Sequence, residues 1–187
     1  MNRPVLRPLP EHSLLFGYHA KGDYTDCFTA DVAGDVSQQQ FVTAFYTSRL
    51  FKVERFILKW LVAKPSTDQQ AGLLASGSID GFAAWTVEGR ERHQLLVCDY
   101  QGRTRSWLMV EPIKAGHGAA TRLYFGTGIA SATDRKTGRK TMPLLFRLLL
   151  GFHRRYAPAL LRSAVTKLAA NGPSYPQAEA SDRQIKR

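Results

Sequence analysis

Alternating side chains identify the first regular element of the chain. Tyr24, Asp26 and Phe28 alternate with smaller residues, which predicts a strand over residues 23–32. Prolines at positions 4, 8 and 10 precede it and predict an extended leader over residues 1–22. The chain is therefore expected to enter its folded part through a non-helical segment.

Helical periodicity follows this strand. Large apolar residues recur over residues 38–62, behind a capping box formed by Ser37 and Gln40. Their spacing becomes irregular near residues 47–51, so two short helices with a bend are predicted in place of one rod. A proline at position 65 ends the second helix.

The middle of the chain has the pattern of consecutive antiparallel strands. The predicted strands span residues 72–79, 82–88, 92–100, 103–112 and 121–130. Gln101 and Gly102 suit a tight hairpin turn, because glycine tolerates a positive φ. Short turns between successive strands favour an antiparallel meander over parallel βαβ units.

A long amphipathic helix closes the predicted fold. Apolar residues follow the i, i+3, i+4, i+7 rule from Leu145 to Leu160 and resume to about Leu168, with a kink at Pro158. The polar composition of residues 171–187 predicts a flexible tail. One domain over residues 23–170 is therefore expected, with no internal repeat.

The element order and several short segments resemble a known superfamily. The segments are Ser-Leu-Leu at 13–15, Asp-Tyr-Thr-Asp-Cys-Phe at 23–28, Leu-Val-Cys-Asp-Tyr at 96–100, Phe-His-Arg at 152–154 and Leu-Leu at 160–161. Over roughly residues 12–168 the chain is similar to the helix-grip superfamily of START domains and pollen allergens (SRPBCC), and within it to an uncharacterised bacterial family. The resemblance implies an α+β fold. In it, a curved antiparallel sheet wraps around the long C-terminal helix, and two short helices follow the first strand.

That superfamily includes lipid and hormone carriers, polyketide cyclases and aromatases, and oxygenase domains, so the fold does not select a function.

A two-residue turn at 101–102 places three residue pairs on one face of the hairpin. These pairs are Cys98 with Arg105, Leu96 with Trp107 and Gln94 with Met109. This large, polarisable face is predicted to line a cavity beneath the long helix, although a bulge would exchange the two faces. The complete set of predicted ligand-binding residues is Trp85, Cys98, Arg105, Trp107, Met109, Tyr124, Phe152 and Tyr156.

Arg105 is the sharpest polar candidate, since its guanidinium fork suits a ligand carboxylate or phosphate. The alternative is a solvent-facing strand residue or an ion-pair partner of Asp99 or Glu111. Asp99 and His153 are candidate proton-transfer groups, with Tyr156 three positions from His153 on the same helix. A turn carboxylate and a histidine at the edge of the core are the structural alternatives.

Positive charge is concentrated in one part of this 187-residue chain. The formal net charge is +11, and nine of the cations lie within residues 135–167. Arg147, Arg154 and Arg162 share one outer side of the predicted helix, which suits contact with an anionic membrane or nucleic acid. A solvated helix face is the alternative, because the sheet already needs the apolar stripe.

Familiar catalytic signatures are absent from the sequence. There is no phosphate loop, no nucleophile elbow and no zinc-binding HExxH helix, and the two cysteines form no CxxC pair. Gly126 and Gly128 lack the third glycine of a dinucleotide fingerprint. We therefore expect no metal and no cofactor.

No apolar run approaches a membrane span and no secretory h-region is seen, so a cytoplasmic protein is expected.

The leading hypothesis is a binding protein. It would hold a small apolar or amphipathic molecule between the sheet and the C-terminal helix. A cyclase- or aromatase-type enzyme that uses cavity proton-transfer groups is one alternative. An adaptor that docks on anionic lipid or nucleic acid through the basic helix is the other.

Overall fold

An open antiparallel sheet of seven strands organises the molecule. The computed structural model describes residues 3–62, 65–115, 118–130, 132–133, 140–141 and 144–171. In spatial order the strands are β1 (Val5–Leu6), β2 (Tyr24–Ala33), β7 (Gly118–Ile129), β6 (Thr104–Ala115), β5 (Gln94–Asp99), β4 (Trp85–Glu91) and β3 (Gly81–Phe82). A separate pair comprises β8 (Ala132–Thr133) and β9 (Lys140–Thr141). The helices are α1 (Phe16–Ala20), α2 (Gln38–Tyr46), α3 (Arg49–Val62), α4 (Asp68–Ser76) and α5 (Leu144–Asn171). The fold is therefore α+β, with a long C-terminal helix.

The helices confirm one sequence prediction and correct another. The capping box of Ser37 and Gln40 starts α2, and α3 follows it as a separate helix. The strand predicted over residues 72–79 was wrong, because most of that segment belongs to α4. A second capping box, Thr67 with Gln70, starts α4, and Gly77 ends it at φ +82°. These local helix signals outweigh the weak alternation of the segment.

The hairpin of β5 and β6 has the predicted register. Leu96 lies opposite Trp107, and Cys98 lies opposite Arg105. The Gly102 N–H donates to the Asp99 carbonyl at 2.9 Å, and Gly102 has the positive φ that this turn needs. The Asp99 carboxylate accepts hydrogen bonds from the backbone N–H groups of Arg103 and Thr104, at 2.7 and 3.0 Å, just where the return strand begins. Asp99 is therefore a turn residue.

Four helices, α2, α3, α4 and α5, contribute buried side chains to the core on one face of the sheet, which we call the inner face. Aromatic side chains dominate this core: Phe28, Phe41, Phe45, Tyr46, Phe51, Phe82 and Phe125. The described second half of α5 adds small and aliphatic residues, among them Ala157, Leu161 and Ala164. Lys167 binds the carbonyl of Thr47 at 2.9 Å and so caps the C-terminal end of α2. No helix among the described residues is long and apolar enough to cross a membrane.

The N-terminal leader covers the opposite, outer face. Leu15 is fully buried there and packs in one cluster with Leu96, Trp107, Met109 and Tyr124. The predicted extended form holds for β1, which pairs with β2. It was wrong for residues 16–20, which form α1, because the last leader proline lies six residues earlier. The leader is thus part of the packed structure.

Two glycines make room for this cover. A Cβ atom added at Gly126 would lie 2.8 Å from Cε3 of Trp107 and 2.9 Å from the backbone oxygen of Asp26. One added at Gly128 would lie 2.8 Å from Cδ1 of Leu15. The Gly-x-Gly segment is therefore a notch that seats Trp107 and Leu15.

Replacing Gly126 by alanine should destabilise the protein by about 1–3 kcal/mol, because neither a buried indole nor a strand carbonyl can move aside freely. The matched control is Gly72→Ala inside α4, where a new Cβ meets nothing within 4 Å. That change should stabilise the protein by about 0.5–1 kcal/mol through helix propensity. Urea unfolding followed by tryptophan fluorescence measures both. Equal effects of the two substitutions would show that the notch is not sterically filled.

Candidate functional site

Most of the predicted ligand-binding residues lie on the outer face, under the leader. They are Cys98, Arg105, Trp107, Met109 and Tyr124. The inner face of the same hairpin carries Leu95, Val97, Leu108 and Val110. The predicted pairing was correct, but the predicted position of the large face beneath the long helix was wrong. Because both faces of the hairpin are apolar, alternation distinguishes two sides without showing which side the helices cover.

Arg105 is committed to contacts within the protein. Its Nε atom donates to a Glu88 carboxylate oxygen at 3.0 Å, and one terminal nitrogen donates to the carbonyl of Gly102 at 2.5 Å. The guanidinium also lies 4.6 Å from the ring centre of Tyr18, whose hydroxyl donates to Glu88. Burial and this hydrogen bond raise the pKa of Tyr18 to about 12. The cluster anchors α1 to the sheet. Arg105 is thus an ion-pair residue, but its partner is Glu88 and not the expected Asp99 or Glu111.

Of the candidate proton-transfer groups, the structure describes the side chains of Asp99 and Tyr156. Asp99 stabilises the β5–β6 turn, as described above. Four predicted residues have side chains outside the described part of the structure: Arg147, Phe152, His153 and Arg154. The flexible tail was predicted over residues 171–187, and residues 172–187 also lie outside it. Tyr156 is described and donates its hydroxyl to Oε2 of Glu54 on α3 at 2.7 Å. Of the predicted set, Trp85 and Tyr156 pack against the inner-face core.

A group of buried polar side chains interrupts the apolar inner face. Ser106 on β6 lies directly opposite Thr127 on β7, and Thr127 lies opposite Asp26 on β2. Ser106 and Thr127 have the same strand parity as Leu108 and Phe125, which belong to the inner-face core. Both hydroxyl residues are buried, and Thr127 is only 3% exposed. A polar row therefore crosses the sheet beneath the helices.

Tyr46 and Trp85 extend this row. The hydroxyl of Ser106 interacts with Tyr46 of α2. The ring of Tyr46 lies 5.1 Å from that of Phe82, and Phe82 lies opposite Trp85 in the β3–β4 pair. We refer to Tyr46, Trp85, Ser106 and Thr127 as the inner polar cluster. It combines residues from α2, β4, β6 and β7.

Three atoms of the inner polar cluster have no hydrogen-bond partner within the described part of the chain. They are the Tyr46 hydroxyl, the Trp85 Nε1 and the Thr127 Oγ1, and all three are buried. The contact between Tyr46 and Ser106 does not reach hydrogen-bond geometry. Such groups usually bind water or a ligand, since an unmet hydrogen bond in the interior costs about 1–3 kcal/mol. Each of the three carries a donor hydrogen, so the cluster suits an oxygen acceptor.

Tyr156 and Glu54 adjoin the inner polar cluster. Burial raises the pKa of Tyr46 well above its usual value, the Ser106 hydroxyl opposes this shift, and the Glu54 carboxylate adds to it. Burial and Glu54 likewise raise the pKa of Tyr156. Both phenols therefore keep their protons at neutral pH and remain donors. The arrangement can hold an acceptor group, and it contains no activated nucleophile.

Sequence reasoning missed Tyr46, Ser106 and Thr127. A signal was present in β6, where Ser106 interrupts a face that otherwise carries Leu108 and Val110. That face was assigned to the wrong side of the sheet, so Ser106 was not recognised as a candidate site residue. Tyr46 gave no separate signal, because an aromatic residue on an apolar helix stripe is typical of packing.

Two surface grooves lie elsewhere in the described structure. One of about 280 Å³ lies between the start of α2, the end of α4 and the β4–β5 turn, near Arg90. The other, of about 530 Å³, follows the leader and the first half of β2, near His19. Neither contains the inner polar cluster. No group of three or more potential ligands is arranged to hold a metal ion among the described residues.

Comparison with protein-family models, with curated proteins and with solved structures gave no match to this chain.

In ligand-free protein, Tyr46→Phe should raise the free energy of unfolding by about 1 kcal/mol, because it removes a buried hydroxyl that lacks a hydrogen-bond partner in the described structure. The matched control is Tyr124→Phe on the outer face, whose hydroxyl donates to Glu111. That change should instead lower the stability by about 1 kcal/mol. Chemical unfolding of both variants measures the difference. Equal losses would mean that the Tyr46 hydroxyl is satisfied within the protein.

Proposed function

We propose that this chain is a helix-grip domain that binds a small amphipathic molecule between the inner face of its sheet and α5. Support for the fold comes from the antiparallel sheet, the two helices α2 and α3 after the first long strand, and the long C-terminal helix. Support for binding comes from the inner polar cluster. Its three unpartnered buried donors are the single observation that carries the proposal.

In this proposal the ligand lies with its oxygen-bearing end at Tyr46 and Thr127. The aromatic residues of α2 and of the strands form apolar walls beside these donors, and Phe45 and Phe125 lie 4.7 Å apart between ring centres. The helix backbone of α5 continues in the N-terminal direction from Tyr156, next to Glu54. An apolar body with a single acceptor group satisfies both environments.

The position of the site differs from the one first expected. Trp107, Met109 and Arg105 belong to the leader-covered face and take no part in this ligand site. Trp85 and Tyr156 remain proposed ligand-binding residues. The hydroxyl groups of Tyr46 and Thr127, and not Arg105, bind the polar end of the ligand in this proposal. A ligand with an uncharged acceptor group, such as a carbonyl or hydroxyl oxygen, is favoured, because no cationic side chain among the described residues belongs to the inner polar cluster.

Native mass spectrometry of the protein as purified should show a bound mass that organic extraction releases. Tyr46→Phe and Thr127→Val should each reduce retention of that molecule about 2- to 10-fold, which is the usual worth of one hydrogen bond. Tyr124→Phe serves as the control and should leave retention unchanged.

Two results would overturn the proposal. One is wild-type protein that stays free of bound mass after incubation with a total lipid extract. The other is an equal loss of retention in Tyr46→Phe and Tyr124→Phe, because only the first residue lies on the inner face.

A further inference from the structure

The outward sides of α3 and α5 form one continuous surface. The Leu50 N–H of α3 donates to Ser163 Oγ of α5 at 3.4 Å, and Tyr156 of α5 donates to Glu54 of α3 at 2.7 Å. Position 50 thus meets position 163, while position 54 meets position 156. The two helices therefore lie side by side and antiparallel, on the side of the sheet opposite the leader.

Exposed apolar residues lie on this surface. Phe51 of α3 is buried in the core, while Val53 and Phe56 are 55% and 63% exposed. At 100° per residue, these two positions lie on the side of the helix opposite Phe51. Of the large apolar side chains in the described structure, Phe56 is the most exposed.

Arginines surround these apolar side chains. Arg49 of α3 is exposed one turn before Val53. Arg155 and Arg162 are exposed on α5, on the side of the helix opposite its buried Ala157. None of these arginines forms an ion pair with a described residue. We call Arg49, Val53, Phe56, Arg155 and Arg162 the helix-layer surface.

The acidic residues near this surface are already engaged. Asp68 pairs with Lys52 and Arg55 at 2.6 Å each, and Glu54 accepts the Tyr156 hydroxyl beneath the surface. The helix-layer surface is thus positive and partly apolar. A phospholipid headgroup region offers both phosphates and an apolar interior, whereas a nucleic acid offers no apolar medium for Val53.

We propose that the helix-layer surface docks peripherally on an anionic phospholipid membrane, independently of any internal ligand. Val53 and Phe56 enter the headgroup boundary, and the three arginines lie at the level of the lipid phosphates. The depth of contact is that of an interfacial helix, and α3 lies parallel to the membrane plane.

Sedimentation with vesicles of phosphatidylcholine and phosphatidylserine in a roughly 2:1 ratio tests this inference. Wild-type protein should bind these vesicles and leave pure phosphatidylcholine vesicles unbound. The double substitution R155Q/R162Q should weaken binding about 30-fold, at about 1 kcal/mol per arginine near such a surface. The double substitution V53S/F56S should also weaken binding to these vesicles. The control is the double substitution Y100S/R103Q in the β5–β6 turn, which lies outside the helix-layer surface and should leave binding unchanged.

Unfolding midpoints equal to that of the wild type show that the exposed substitutions leave the fold intact. Failure of the wild-type protein to bind the mixed vesicles at low salt would overturn the proposal. So would unchanged vesicle binding by V53S/F56S, or binding to single-stranded RNA that is stronger than vesicle binding and depends on the same arginines. Ligand retention measured by native mass spectrometry is a separate readout.

Discussion

Both faces of the seven-stranded sheet are apolar, and the structure depends on covering both. The helices cover one face, and the leader covers the other by seating Leu15 in the notch at Gly126 and Gly128. Gln94 secures this cover, since its side-chain oxygen accepts from the Leu14 N–H and from Trp107 Nε1 at 2.9 Å each. The leader thereby shields Trp107 and leaves the other face for α2, α3, α4 and α5.

This constraint explains which features could be predicted from the sequence. The β5–β6 register followed from the turn at Gly102, and the α2–α3 break followed from irregular spacing, because both depend on neighbours in sequence. The side of the sheet on which Trp107 lies depends on Leu15, 92 residues before it, and on Gly126, 19 residues after it. No local sequence pattern spans these separations. For the same reason, the candidate site lies on the face opposite to the predicted one. Arg105 is not available to a ligand there, because it forms an ion pair with Glu88.

The helices that cover the inner face give the molecule two chemically different surfaces. Beneath them lie Tyr46 and Thr127, whose donors lack partners in the described structure. Above them lie Arg162 and Phe56, which are exposed to solvent. The two proposals assign these surfaces separate roles, ligand binding beneath the helices and membrane docking above them.

Hydrogen bonding by the Trp85 indole tests the central claim most directly. The chain has three tryptophans, so a ¹H–¹⁵N spectrum contains few indole signals to assign. We compare the protein as purified, after removal of bound molecules on a hydrophobic resin, and after its extract is added back. The Trp85 signal should move on removal and return on addition, while Trp107, bonded to Gln94, stays in place. A Trp85 signal that is identical in all three samples would contradict an internal ligand site.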